Sequence, residues 1–234
     1  MFGELALAVS VTSVFAGLAY ILRMVSRDGA LGGFVVALVI YMSLGLPGFM
    51  VLALFVLGGS ALTRLGYQSK KLRGTAEARG GRRGVKNALA NCGVALLCAL
   101  LAALVPSEIF VAAFVAALGA AFADTAESEV GQLSRHTPRL ITTLQRIPPG
   151  TDGAVSVPGT LAGLVTAGLT ALFGLWLGLV ESSSIALLVV VAAFLGTVTD
   201  SFLGALMPRL GNEVTNVLCT LVAATLALTF GKAF

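Results

Sequence analysis

Three carboxylates fall within six positions in "FADTAESEVGQLS", residues 122–134: Asp124, Glu127 and Glu129. They follow the uncharged run "IFVAAFVAALGAA" at the end of a segment apolar enough to cross a membrane. Charge at the edge of a bilayer is costly unless it is solvated, paired or bound to a cation. On a helix, Asp124, Glu127, Ser128 and Gly131 share one stripe, while Thr125 and Glu129 lie round a neighbouring face. A second acid, Asp200, followed by Ser201, lies at similar depth in another apolar segment. Such an all-oxygen set suits Mg²⁺ or Mn²⁺ better than zinc. The plainer alternative is that these acids pair with Arg135, Arg139 or the basic loop at residues 70–86.

Two further stretches bear on the same chemistry. "RLGYQSKKLRGTAEARGGRRGVKN", residues 64–87, carries eight Lys or Arg against Glu77 alone. A basic juxtamembrane loop ordinarily sets topology and attracts anionic head groups, but this count exceeds that need and suits phosphate binding. "PRLITTLQRIPPGTDGAVSVPGTLAG", residues 138–163, contains Pro148-Pro149-Gly150, which forces a turn. Thr160 is placed to cap the helix that follows, whose N-terminal amides favour an anion. No Walker signature is present. Phosphoryl transfer fits this inventory, because it is mostly positioning and charge neutralisation. An acceptor that is itself a phosphate monoester is ionised at pH 7 and needs no general base, and many cations would offset its repulsion from the donor. No nucleophile–base pair is evident, and the single His136 excludes any two-histidine mechanism.

The elements that must position these residues are membrane helices. The chain has 234 residues, 57% hydrophobic and 11% charged, with mean hydropathy +0.98, whereas soluble domains carry about 25% charge. Eight helices are predicted at about 4–22, 29–45, 47–65, 87–105, 108–130, 159–180, 185–206 and 214–231, the second of them short for a ~30 Å core. The first begins almost at Met1 with no basic region before it and reads as a retained helix. Every Lys and Arg except Lys232 then falls on one side, which the positive-inside rule makes cytoplasmic, with both termini outside. The expected fold is all-α: a polytopic transmembrane bundle in one integral membrane domain, 1–234. Its long polar loops, about 66–86 and 131–158, lie on the cytoplasmic face. The outside connections, "GLPG", "PSE" and "ESSS", are short. Cys92, Cys98 and Cys219 lie in apolar runs and read as buried small residues, with no disulfide framework or zinc site. Gly159-x-x-x-Gly163 and Gly174-x-x-x-Gly178 read as helix-packing positions. "NALAN" and "NEVTN" each place two asparagines at i and i+4, one stripe, on helices that would meet the acidic ones at the same membrane edge.

"ADTAESEVGQLS", the 138–163 stretch, "GGRRGVKNALANCGV" and "NEVTNVLCTLVAA" resemble a membrane-protein family that includes plant phytyl-phosphate kinases and animal transmembrane protein 19. The resemblance runs from about residue 55 to the C-terminus. More distantly, the acidic helix end followed by "GTLAG" is similar to CTP-using polyprenol kinases and CDP-diglyceride synthases. The resemblance implies phosphorylation of an isoprenyl monophosphate, such as phytyl or geranylgeranyl phosphate, to the diphosphate, with CTP as donor. By position, Asp124, Glu127 and Asp200 would hold Mg²⁺. Arg79, Arg82, Arg83, Lys86, Asn87 and Asn91 would bind phosphates, with Arg146 near the nucleotide. Pro149, Gly150, Thr151 and Gly153 would shape the nucleotide loop, and Asn212 and Asn216 would complete the pocket. Ala154 departs from the glycine more usual in relatives. The implied partners are membrane lipid, the isoprenyl phosphate and a nucleoside triphosphate, not nucleic acid; homo-oligomerisation is left open. The implied location is the cell membrane. Two other readings stay open: a transporter or flippase of a small anion or lipid phosphate, and nucleotidyl transfer to a lipid phosphate.

Overall fold

The computed structural model describes residues 2–105 and 107–231. Met1, Pro106 and Lys232, used above for the first helix, an outer connection and the charge sorting, lie outside the described residues. Among the described residues, seven helices are long and apolar enough to cross a membrane: α1 (Phe2–Ile21), α2 (Arg27–Arg64), α5 (Val85–Leu104), α6 (Glu108–Gly131), α7 (Val157–Trp176), α8 (Ser183–Leu206) and α9 (Asn212–Phe230). Between α2 and α5 lie the short α3 (Tyr67–Leu72) and α4 (Ala78–Gly81). Strands β1 (Arg139–Leu140) and β2 (Ala154–Val155) form a small antiparallel pair, with Arg139 opposite Val155 and Leu140 opposite Ala154. The protein is a polytopic helical bundle with almost no strand.

The predicted second and third helices are one element, α2, broken at Gly45. Gly45 has φ 68° and ψ −163°, a region essentially closed to residues with a Cβ, and Pro47 follows in the first turn of the second limb. A straight helix would separate residues 29 and 63 by roughly 50 Å. Both instead reach Arg83: a Cβ on Gly29 would meet its carbonyl oxygen, and Thr63 Oγ1 lies 3.5 Å from its Nη2. The helix therefore doubles back, and its two limbs supply the two crossings expected separately, joined by a backbone bend with no loop.

Helix α6 is the axis of the bundle. From Ala112 to Ala123 its side chains are buried without exception, and α2, α5, α7, α8 and α9 all pack on it. Alanine and glycine on every face let five neighbours approach at once. The outer faces of the surrounding helices carry exposed Leu and Val, such as Leu18, Leu31, Leu169 and Leu187, as contact with lipid requires. Gly159 and Gly163 of α7 lie against α6, where a Cβ would meet Glu127 O at 2.6 Å and Ala123 O at 3.2 Å. The packing expected of that pair is thus made against the turn of α6 that carries the acids. Gly178, by contrast, lies beyond α7 in a turn with φ +72°, where a Cβ would meet nothing within 4 Å. Cys92, Cys98 and Cys219 are buried and unpaired.

Candidate functional site

The basic loops and the acidic helix ends meet on one face. The C-terminal turns of α6 and α8, the N-terminal turns of α5 and α9, and the loops 75–83 and 138–156 enclose a polar cavity of about 400 Å³. Asp124 and Glu127 reach it from α6, Asp200 and Ser201 from α8, Asn87 from α5, and Asn212 and Asn216 from α9. These are the stripes that the 3.6-residue period marks out.

The three clustered carboxylates divide. Glu129 is fixed by Lys70, whose wholly buried ammonium donates to Glu129 Oε2 and to the carbonyls of Leu62 (3.2 Å) and Thr63 (2.9 Å). Arg83 Nη2 stands 3.7 Å from the other Glu129 oxygen. The plain pairing reading therefore applies to Glu129, with Lys70 and Arg83 as partners, not Arg135 or Arg139. Glu127 accepts a 3.0 Å hydrogen bond from Thr160 of α7. Thr160 does not cap α7: Ser156 does, accepting from the Gly159 amide at 3.2 Å. Among the described residues Asp124 makes no salt bridge, and its carboxyl adjoins that of Asp200. Asp200 Oδ1 is buried without a hydrogen-bond partner. An orphan acceptor beside a second carboxylate is costly unless a cation or shared proton lies between them.

Could these residues hold a divalent cation? Among the described residues, no group of three His, Cys, Asp or Glu side chains is gathered closely enough to do so alone. The adjoining Asp124–Asp200 pair nevertheless has the right donors. Mg²⁺ is usually held by one or two carboxylates, with phosphate oxygens and water completing its shell, and the orphan Oδ1 is a free ligand position. The donor set fits.

The residues expected to bind phosphate do not all converge. Arg83 and Asn87 line the cavity and lie side by side, with Arg83 Nη1 3.4 Å from Asn87 Oδ1. Asn91 is buried one turn deeper and donates to the Asn87 carbonyl (3.0 Å) and side-chain oxygen (3.3 Å), so it positions Asn87. Arg79, Arg82, Lys86 and Arg146 are not part of the lining. Arg79, with φ 54°, reaches toward Gly84 and Asp28, and Lys86 and Arg146 are exposed. Adjacent residues on a turn point in different directions, so a basic run delivers only some of its charges to one place.

Pro149, Gly150, Thr151 and Gly153 form part of the cavity wall. The glycines serve protein contacts as well as an open approach. Gly153 has φ +75°, and a Cβ there would overlap Ala205 of α8 at 2.5 Å; Gly150, at φ +82°, would meet Thr75 at 2.8 Å. Thr151 Oγ1 donates to the Pro148 carbonyl at 2.8 Å and closes the turn. The loop is thus seated on α8, five residues from Asp200. Ala154, in β2, is accommodated there by pairing with Leu140.

Lys70, Thr75, Asp152 and Thr215 escaped the sequence reading. Asp152 and Thr215 both line the cavity, and Thr215 stands beside Asp200. A hydroxyl three positions after Asn212 on the same stripe was the available signal for Thr215. Nothing local distinguishes Lys70 from Lys71; its burial depends on α6, 59 residues away.

An uncharacterized membrane protein of Synechocystis is 36% identical to this chain over 201 residues, covering 83% of the chain and 78% of that protein. One from Methanocaldococcus jannaschii is 31% identical over 209 residues, covering 88% and 85%. Protein VTE6, chloroplastic, of Arabidopsis thaliana is 28% identical over 215 residues, covering 82% and 61%. No solved structure matches. The family model described as integral membrane protein DUF92 matches residues 10–224, so the likeness reaches further toward the N-terminus than residue 55. The resemblance read from the motifs is borne out, and this chain belongs to the DUF92 family of integral membrane proteins.

Proposed function

We propose that the protein transfers the γ-phosphoryl group of a nucleoside triphosphate, with CTP the donor implied by the resemblance, to an isoprenyl monophosphate such as phytyl or geranylgeranyl phosphate. The observation that carries this reading is the polar cavity at the membrane edge. It sets the adjoining Asp124 and Asp200 against Arg83 and Asn87. A transporter would place its ionisable groups near the midplane; Asp200 is only about 9 Å from the end of α8, at 1.5 Å per residue.

In this reading Arg83 and Asn87 hold the acceptor phosphate, and Asn212, Asn216 and the 149–153 loop hold the donor. The acceptor oxygen, already ionised, forms a bond to the γ-phosphorus as the bond to the β-bridging oxygen breaks, and the nucleoside diphosphate leaves with the electron pair. Arg83 offsets the repulsion between the two phosphates. Asp124 and Asp200, with Glu127 alongside, would hold Mg²⁺, which when bound supplies charge neutralisation at the donor phosphates. Glu127, tied to Thr160, also keeps α7 docked on α6. The basic face is then the cytoplasmic face of the cell membrane.

The test uses purified protein, Mg²⁺, γ-labelled CTP and phytyl or geranylgeranyl monophosphate. Label in a prenyl diphosphate, lost in Asp124→Asn, is the expected result. Pyrophosphate release without label transfer would replace kinase by nucleotidyl transfer. Neither signal, across several chain lengths and nucleotides, would favour transport of a lipid phosphate or small anion.

A further inference from the structure

A second, smaller cavity of about 80 Å³ lies between α1, both limbs of α2 and α5. Its lining is mostly apolar, with Ser60 the polar exception apart from Arg83, Asn87 and Thr125, which also form part of its wall. Those same three residues also line the polar cavity. The two spaces therefore meet along one boundary, with cation and amide on it and hydrocarbon beyond. Thr125 suits that boundary: its hydroxyl donates back to the Ala121 carbonyl at 2.9 Å, leaving its methyl toward Gly59.

The glycines of the groove are not all explained by packing. A Cβ on Gly29 would collide with the Arg83 carbonyl at 2.2 Å, so glycine is required there. Gly33, one turn on and on the same face, would meet nothing within 4 Å. Glycine is unfavourable in mid-helix relative to alanine, and at Gly33 a Cβ would meet only open space beside the groove.

Building on the proposed kinase reading, we propose that the isoprenyl tail of the acceptor lies in this groove between α1, α2 and α5. Its phosphate stays at Arg83 and Asn87, and the groove beyond Gly33 selects for chain length. A single hydrocarbon chain suits the narrow apolar slot. The fold-back of α2 at Gly45 makes the slot, because both limbs line it: Gly33 and Val36 from one, Leu52 and Phe55 from the other.

The first experiment is Gly33→Leu, which adds a side chain where a Cβ meets no protein atom within 4 Å and favours helix. Turnover of geranylgeranyl monophosphate should fall about tenfold or more, the scale of a methylene-sized misfit, while the five-carbon dimethylallyl monophosphate is used as by wild type. Equal losses, or none, would overturn the groove. Gly33→Ala should give an intermediate shift toward shorter chains, and thermal unfolding checks that both variants fold. The second experiment needs no turnover: geranylgeranyl monophosphate with a terminal diazirine is photolysed with wild-type protein. Label on segments 15–19, 33–36 and 52–56, displaced by phytyl monophosphate but not by phosphatidylglycerol, is expected. Label elsewhere, or equal displacement by the phospholipid, would overturn the assignment. A labelled groove in a protein that transfers no phosphate would sink the kinase reading alone, and phosphate transfer without groove labelling would sink the groove alone.

Discussion

Glu129 and Asp124 stand little more than one turn apart on the same helix, yet their surroundings are opposite. Glu129 is buried against a buried lysine, with an arginine behind it. Among the described residues Asp124 makes no salt bridge, and it faces a second carboxylate with an unsatisfied oxygen. One end of the cavity wall is electrostatically closed and holds the basic loop in place. The other is electrostatically open, which is unfavourable for stability and useful only if a cation or phosphate group completes it. A cluster of like charges on one helix thus serves two ends, and the cations supplied by other elements decide which charge serves which.

The sharpest way to break this contrast is to remove the cation. Lys70→Met should leave Glu129 buried with only Arg83, at 3.7 Å, to compensate it and cost up to about 3–5 kcal/mol, read as a large fall in the thermal unfolding midpoint in detergent. Lys70→Met with Glu129→Leu should recover most of that loss. An unchanged midpoint in the single variant would show that the pair is not structural. Asp124→Asn should do the reverse. It relieves repulsion, so the unfolding midpoint stays level or rises, while transfer activity falls about 10²–10³-fold if it acts as charge-stabilising groups usually do. Asp200→Asn should behave alike.

A smaller effect concerns the cation itself. Mg²⁺ at 100 times its dissociation constant should stabilise the wild type by about 2.7 kcal/mol, and Asp124→Asn should lose this response while Lys70→Met keeps it. A response in Asp124→Asn equal to wild type would move the metal elsewhere. Gly153→Ala forces a left-handed backbone and a clash with Ala205. The expected cost is about 1–3 kcal/mol in the loop, seen as a raised KM for nucleotide with the acceptor KM unchanged. The least effect is expected from Arg146→Ala, since Arg146 is exposed and outside the cavity. Its activity should stay within about twofold, as for surface substitutions in general.

Much of this was legible along the chain because the bilayer imposes length and charge rules that act locally. Apolar runs gave the spans, the sidedness of Lys and Arg gave a single basic face, and helical period put Asp124 with Glu127 and Asn87 with Asn91 on their stripes. Even the bend at Gly45 was signalled by "GLPG", although the two helices it joins proved to be one folded element. Less legible was the basic loop. The resemblance implied phosphate contacts for Arg79, Arg82, Arg83, Lys86, Asn87 and Asn91, and of these only Arg83 and Asn87 line the cavity.

Sequence alone therefore determined that this is a helical integral membrane protein, which family it resembles and which face gathers its polar residues, because hydropathy, net charge and helical period depend on neighbours in the chain. Only the tertiary structure decided that Glu129 belongs to Lys70 while Asp124 belongs to Asp200, and that the apolar groove adjoins the polar cavity at Arg83. Those outcomes depend on residues separated by 59 positions in one case and on the folding back of α2 in the other. Charge pairing and cavity shape follow distance in space, which the order of residues does not contain.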